Sequence, residues 1–275
     1  MMLKEKFNIK RAFGISFILI SLGFALLPMI WALVLSFRSK SHVFEPVWES
    51  PTAFTFGNFA SLLDADFMHS LFNSFLTASI STFLAVLVGV PAGFALAKGN
   101  IGNKLFASWS MLLLRMAPPV GFVIPMFLIY TNIGFIDTFF GLIIAYLIIA
   151  LPLVVWASWT SMAQIPTELI EASLLDGATL PQTLALVVIP VAKPGIIAAS
   201  VLAFLLVWND FFFALIITRE ETITAPVAIV NFVSYASVDW GSIALASVIL
   251  TLPTLPLILF ANKYIVQSMA GSVKG

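Results

Sequence analysis

The sequence predicts an all-α integral membrane protein with six transmembrane helices and both termini in the cytoplasm. Three observations carry that expectation. The 275-residue chain is 61% hydrophobic with only 9% charged residues, where a soluble domain carries about 25%. Its apolar residues gather into runs long enough for a bilayer core, which takes about 20 helical residues. Its basic residues fall unevenly between the two sets of connections that those runs define.

Six segments meet the length requirement: about 13–36, 70–97, 106–131, 138–160, 194–217 and 242–266. Lipid offers the backbone no hydrogen-bond partner, and the runs lack the alternation of barrel strands, so each reads as a helix. The first follows the basic start "KEKFNIKR". Its apolar run, Ala12 to Phe37, is too long for a signal core and shows no clear cleavage site, so it reads as a retained span. The second contains "GVPAG" at Gly89–Gly93, small residues four apart that permit a close helix approach and a bend. The third holds Arg115 and then "MAPPVGFVIP" (Met116–Pro125), whose three prolines must bend or locally unwind a helix. The fifth carries "WND" at Trp208–Asp210 in its outer half.

Charge sets the orientation. With the N-terminus inside, Lys4, Lys6, Lys10, Arg11, Lys98, Lys104, Lys193, Lys263 and Lys274 lie on the inner side. Only Arg38, Lys40 and Arg219 lie outside, and Arg115 lies within a span. Nine against three follows the positive-inside rule. The residues are expected to form a single transmembrane domain, 1–275, with a first outer loop at 39–68 and a second from Arg219 to Asp239. The longest inner connection is 162–193.

Composition also excludes. Net charge is zero, and nothing suggests a nucleic-acid partner. Cysteine is absent, and His42 and His69 form no metal-ligand cluster. No GxxxxGK[ST] loop offers an ATP site, and no nucleophile–base pair is evident. The chain is therefore not expected to be an enzyme, nor to hold a cofactor itself.

The inner connection, "EASLLDGATLPQTLALVVIPVAKPG" at Glu171–Gly195, is unusual for its polarity. Thr167 is a candidate N-cap, and Glu168 lies in the first turn, where the helix dipole favours an acid. Gly177 can supply a left-handed stop, and Thr179–Gln182 fits a capping box with Pro181 in the first turn. Asp176 sits unfavourably at a helix C-terminal end and needs a turn bond, a basic partner or water. The pattern reads as two short helices meeting at a corner outside the lipid, the second reaching Val187–Pro190. Patterning leaves two roles open, an interfacial connector and an element that docks into another protein.

The register Glu171-Ala172-Ser173, Gly177, Val187-Val188-Ile189-Pro190 resembles the EAA loop of bacterial ABC-importer permeases. Ser173 departs from that pattern's second Ala, Val187 from its Ile and Ile189 from its Leu. Further stretches are similar to the carbohydrate group, the maltose-permease G type: "LPMIWALVLSFRS", "NSFLTAS", "RMAPPVGFVIPMF", "IPTELIEASLLDGAT", "VWNDFFFALI" and the terminal "AGSVKG". The resemblance implies an ABC type I importer permease in the bacterial inner membrane. It implies a second permease subunit, two ATPase subunits that hold ATP and Mg2+, and a periplasmic or lipid-anchored solute-binding protein that delivers a sugar-class substrate. It also implies ATPase coupling through residues 168–190, by Glu168, Glu171, Ala172, Ser173, Asp176, Gly177 and Pro190.

Asn73, Arg115, Trp208, Asn209 and Asp210 are the candidates for the translocation path. Arg115 lies near mid-depth, where it must face a wet interior or pair with an acid or carbonyl. Helix packing is the alternative for Asn73, Asn209 and Asp210. Two other functions remain open: an ABC permease for a non-sugar solute, and an ion-coupled carrier. The scarcity of ionisable groups at mid-membrane weighs against the carrier.

Overall fold

The computed structural model describes residues 2–64, 66–99, 106, 109–110, 113, 119–233 and 238–272. Among the described residues the fold is all-α. Only isolated bridges occur, Arg38 with Phe54 and Val233 with Val238. Twelve α-helices are named here: α1 (Met2–Ser36), α2 (Gly57–Asp64), α3 (Phe67–Lys98), α4 (Pro119–Ile133), α5 (Phe139–Ala163), α6 (Thr167–Leu175), α7 (Leu180–Thr183), α8 (Ile189–Trp208), α9 (Phe212–Ile217), α10 (Ala225–Ala228), α11 (Trp240–Thr251) and α12 (Thr254–Ser272).

Five stretches are long and apolar enough to cross a membrane: Arg11–Ser36, Phe67–Lys98, Phe139–Ala163, Leu180–Trp208 and Trp240–Tyr264. They correspond to the first, second, fourth, fifth and sixth expected spans. The third, 106–131, lies largely outside the described residues; its described helical end is α4, which opens on Pro119.

The chain divides into two compact units, Met1–Phe67 with Ile229–Thr251, and Met68–Ala228 with Leu252–Gly275. In the first unit α1 and α2 both pack on α11. Asn58 of α2 donates to the carbonyls of Ser36 (2.8 Å) and Arg38 (2.9 Å), satisfying the open end of α1. Gly241 lies against that same amide, so close that a Cβ would sit 2.5 Å from Asn58 Nδ2. Asp239 closes the N-terminus of α11: Oδ1 accepts from Ser242 N at 3.2 Å and Oδ2 from Ser242 Oγ at 2.9 Å. Burial raises the Asp239 carboxyl, but bonds from Lys40 (2.7 Å) and Ser242 outweigh it and leave the group below its ordinary range.

In the second unit α5 packs along α8, and α12 lies on α8. Small residues occupy many of the buried positions of that pair, including Ala145 and Ala150 on α5 and Gly195, Ala199 and Ala203 on α8. Without a hydrophobic drive between helices in lipid, close backbone approach and dispersion supply the attraction. The α3–α5 crossing follows the same rule. A Cβ on Gly89 would lie 2.9 Å from Val154 Cγ1, and one on Gly93 would lie 2.6 Å from Ser158 Cβ and 2.8 Å from Trp159 N. The "GVPAG" spacing thus marks a tight helix contact.

The fifth expected span, 194–217, is corrected at both ends. Its helix begins earlier, because α7 runs through a π-helical stretch, Leu184–Val188, directly into α8. Proline at 190 has no N–H for the carbonyl of Leu186 and its ring would crowd that carbonyl; a widened turn just before it relieves both problems. The helix also ends earlier, at Trp208, with α9 as a separate piece. The second half of the inner connection is therefore the beginning of a 29-residue apolar helix, Leu180–Trp208, and not a separate short one.

Gly93→Ala is expected to cost about 1–3 kcal/mol by overpacking, read as a lowered unfolding temperature in detergent. Gly121→Ala, where nothing lies within 4 Å of the added methyl, should leave that temperature unchanged or raise it slightly.

Candidate functional site

The corner at Gly177 is built from backbone bonds. Asp176 N–H donates to Ala172 O (3.0 Å), Gly177 N–H to Leu174 O (3.1 Å) and Ala178 N–H to Ser173 O (3.1 Å). The last two form a Schellman motif, which requires a left-handed residue at Gly177. Its φ is +89° and nothing stands within 4 Å of a hypothetical Cβ, so conformation rather than space demands glycine. Asp176 keeps the last ordinary helix bond through its backbone N–H, and its carboxylate is exposed to water rather than held by a turn bond or a basic partner.

After the corner, Gln182 Oε1 accepts from Thr179 N (2.8 Å) and Thr179 Oγ1 (3.0 Å), closing the start of α7. At the other end Thr167 is the first helical residue; Pro166 occupies the N-cap and makes no side-chain cap bond. Two further contacts fix the segment. Ser173 Oγ lies 3.0 Å from the buried Thr183 Oγ1, bridging α6 and α7. Lys98 Nζ, on the last residue of α3, donates to Ile165 O at the root of the segment. The hydroxyl that departs from the EAA pattern thus has a partner.

What faces outward is different in kind. Glu168, Glu171, Ala172 and Asp176 are exposed, and Leu175 is 88% exposed between them. Among the described residues no hydrogen bond or ion pair engages the carboxylates of Glu168, Glu171 or Asp176. Pro190 is exposed on the same continuous helix.

The "WND" residues form a helix break. Trp208 is buried and stacks on Phe204 at 5.8 Å between ring centres. Asn209 terminates α8, donating from Nδ2 to Leu205 O at 2.8 Å. Asp210 then starts α9, its Oδ2 accepting from Phe213 N (3.1 Å) and Ala214 N (3.3 Å). Asn73 is buried elsewhere in this unit and donates to Glu221 O (3.0 Å) and Ile223 O (3.1 Å). No hydrogen bond joins it to Asn209 or Asp210 among the described residues. Arg115 lies outside the described residues.

The loop held by Asn73 has a second anchor that sequence reasoning missed. Asp137, itself left-handed at φ +56°, accepts from the N–H groups of Arg219, Glu220, Glu221 and Thr222 and from Thr222 Oγ1, at 2.8–3.1 Å. Partial burial raises its pKa, but these donors outweigh it and bring the carboxyl to about 2. The residue follows a glycine turn, a local signal; its partners more than 80 positions away leave none. Among the described residues no group of three or more His, Cys, Asp or Glu side chains could hold a metal ion.

An all-α, membrane-spanning chain with a hydrogen-bonded polar corner between spans has the make-up of a transporter's membrane subunit. Residues 85–271 match the family described as "binding-protein-dependent transport system inner membrane component", and the chain belongs to that family. It is a multi-pass inner-membrane protein, the non-catalytic permease subunit of an ABC importer. It is 36% identical to the trehalose transport system permease protein SugB of Mycobacterium tuberculosis, over 92% of this chain and 94% of that one. It is 31% identical to the trehalose/maltose transport system permease protein MalG of Thermococcus litoralis, over 91% and 92%. In fold it is similar to a chain of a bacterial ABC transporter that imports the acidic polysaccharide alginate. There the TM-score is 0.76 at 23% identity, covering 92% of this chain and 96% of that chain.

Asp137→Asn should destabilise the protein in a pH-dependent way. The folded pKa lies below the ordinary 3.8, so the carboxylate's contribution is complete above about pH 4 and fades as pH falls toward 2. The full shift corresponds to about 2 kcal/mol, which solvent exposure reduces to about 1. Thermal unfolding of both proteins from pH 6 to pH 2 checks this: the gap between them should close on acidification.

Proposed function

We propose that this permease forms one half of a sugar-class translocation path and is driven through the α6–α7 corner by an ATPase. The names of its relatives, which carry trehalose, maltose or alginate, support a saccharide substrate. In this reading six helices span the membrane with both termini in the cytoplasm, the 39–68 loop is periplasmic, and 162–193 is the cytoplasmic coupling segment. A second permease subunit completes the path, two ATPases supply ATP and Mg2+ chemistry, and a solute-binding protein delivers the sugar.

One observation carries the coupling role. The corner is locked by its own backbone, by Ser173–Thr183 and by Lys98, while Glu168, Glu171, Asp176 and Leu175 point away from the chain. A rigid element with an exposed leucine among acids suits a partner with an apolar cleft and a basic rim. Buried anchors supply most affinity in such contacts, and charges supply orientation. Gly177 sets the angle, Ala172 leaves room for close approach, Ser173 braces the corner, and Pro190 marks where the corner passes into the span. At the other end of that helix, Trp208, Asn209 and Asp210 line or gate the path, with Arg115 deeper in. Asn73 contributes by holding the loop that follows α9.

Glu171→Lys should strip the ATPases from the purified complex and abolish nucleotide-dependent uptake in proteoliposomes across a panel of sugars. Full assembly and transport by that variant would overturn the docking role.

Asp210 is tested by a pair of variants. Asp210→Ala loses its bonds to two N–H groups, costing about 1 kcal/mol, whereas Asp210→Asn keeps an acceptor and removes the charge. If Asp210 serves the path, both variants slow uptake or change sugar preference. Normal uptake by Asp210→Asn would reduce it to a helix cap.

A further inference from the structure

The connection after α1 carries an unusual amount of exposed aromatic surface. Phe44 is 79% exposed, Trp48 81% and Phe56 76%, and Phe54 is half exposed. Rings of this kind bury about 150–250 Å² each when they are covered, so leaving four of them in water is costly. Neighbouring Trp240 is also partly exposed and meets Phe44 edge-on at 5.9 Å.

This loop is not free to project into solution. Arg38, 1% exposed, reaches into it and donates to the carbonyls of Ser50 (2.7 Å), His42 (2.9 Å) and Glu45 (2.9 Å). The same guanidinium lies 5.7 Å from the Phe54 ring. Thr55 N–H donates to Phe37 O (2.7 Å), Ser39 N–H to Ala53 O (3.0 Å), and Phe37 packs on Phe56 at 5.7 Å. The loop is thus folded back onto the last residues of α1. From Arg11 to Leu35 α1 has no buried residue, although one side of it packs on α11. Its outward face therefore meets the hydrocarbon, and the loop tied to its end is held at the depth where hydrocarbon gives way to headgroups. That depth is where amphipathic aromatic rings are most stable in membrane proteins.

We propose that the Phe44–Phe56 loop is an interfacial membrane anchor. Phe44, Trp48, Phe54 and Phe56 enter the boundary between headgroups and acyl chains, with Arg38 as the internal brace that keeps them there. The occupant is lipid rather than protein because the aromatic surface continues the lipid-facing surface of α1 within one unit. This inference rests on α1 spanning the bilayer and is independent of the substrate and of ATPase coupling.

The test uses the assembled transporter in phosphatidylcholine–phosphatidylglycerol vesicles whose acyl chains carry bromine either near the headgroup or at the midplane. The Trp48 signal is the emission of the native protein minus that of Trp48→Phe. Loss of that signal with shallow bromine, and a smaller loss with deep bromine, is the expected result. A signal untouched by either lipid but quenched by aqueous iodide would overturn the proposal. So would a signal shielded only when a solute-binding protein is added, which would make the loop a protein dock. The chain has no cysteine, so a nitroxide on Phe44→Cys gives a second measurement. It should collide more readily with oxygen than with a polar nickel complex; the reverse order would likewise overturn the anchor.

Discussion

The constraint on which this structure depends is the need to satisfy the backbone wherever a helix stops in or near lipid. A continuous helix bonds its own interior, but each end leaves N–H or carbonyl groups open, and hydrocarbon offers them nothing. The chain meets that need with a consistent division of labour. Acids take the N–H groups: Asp137 for Arg219–Thr222, Asp210 for the start of α9, Asp239 for the start of α11. Basic and amide side chains take the carbonyls: Arg38 in the first loop, Asn58 at the end of α1, Asn73 in the loop after α9, Lys98 at Ile165. With only 9% of residues charged, much of the polar content is committed to holding helix ends and the connections between them.

Against that background the α6–α7 corner stands apart. Its own backbone is closed by the Schellman turn and by Gln182, so the acids around it have no such duty. Three carboxylates and one nearly naked leucine are left facing out. Exposure of Leu175 to water has no benefit for the isolated chain. A partner that covers it gives the arrangement a physical reason, and membership in a binding-protein-dependent transport family says what kind of assembly supplies one.

Much of this was legible in sequence because the signals are local. Apolar runs located five described spans to within a few residues, except for the fifth. Gly177 signalled a left-handed stop, "GVPAG" a tight crossing, and Thr179–Gln182 a cap. What escaped was either long-range or an exception to a local rule. Asp137 and the loop it clamps lie 82 residues apart at the nearest bond, and Arg38 grips a loop through carbonyls that leave no trace in side-chain pattern. Pro190 reads as a helix boundary because an interior proline normally breaks the ladder; the π turn before it absorbs the defect, and so one long helix was read as two. "WND" reads as part of a span because Trp and the following phenylalanines are apolar, although Asn209 is the C-terminal cap of α8 and Asp210 accepts from N–H groups in the first turn of α9.

That last correction changes the mechanics. Since Leu180–Trp208 is continuous, it is a rod of about 43 Å at 1.5 Å per residue, with the corner at one end and the Asn209–Asp210 break at the other. In the proposed cycle an ATPase moves the corner, and the helix conveys the displacement with only the π turn and Pro194 to soften it. The far end stops at two residues whose side chains bond to separate helices, Asn209 back to α8 and Asp210 forward to α9. The backbone is bonded on both sides of this junction, Asp210 N–H to Val207 O at 3.0 Å and the N–H groups of Phe213 and Ala214 to Asp210 Oδ2. Alternating access needs hinges of this kind, where a few residues at element ends absorb the change. In the proposed cycle the acid and amide of "WND" would hold the helix ends at that junction while the residues face the path.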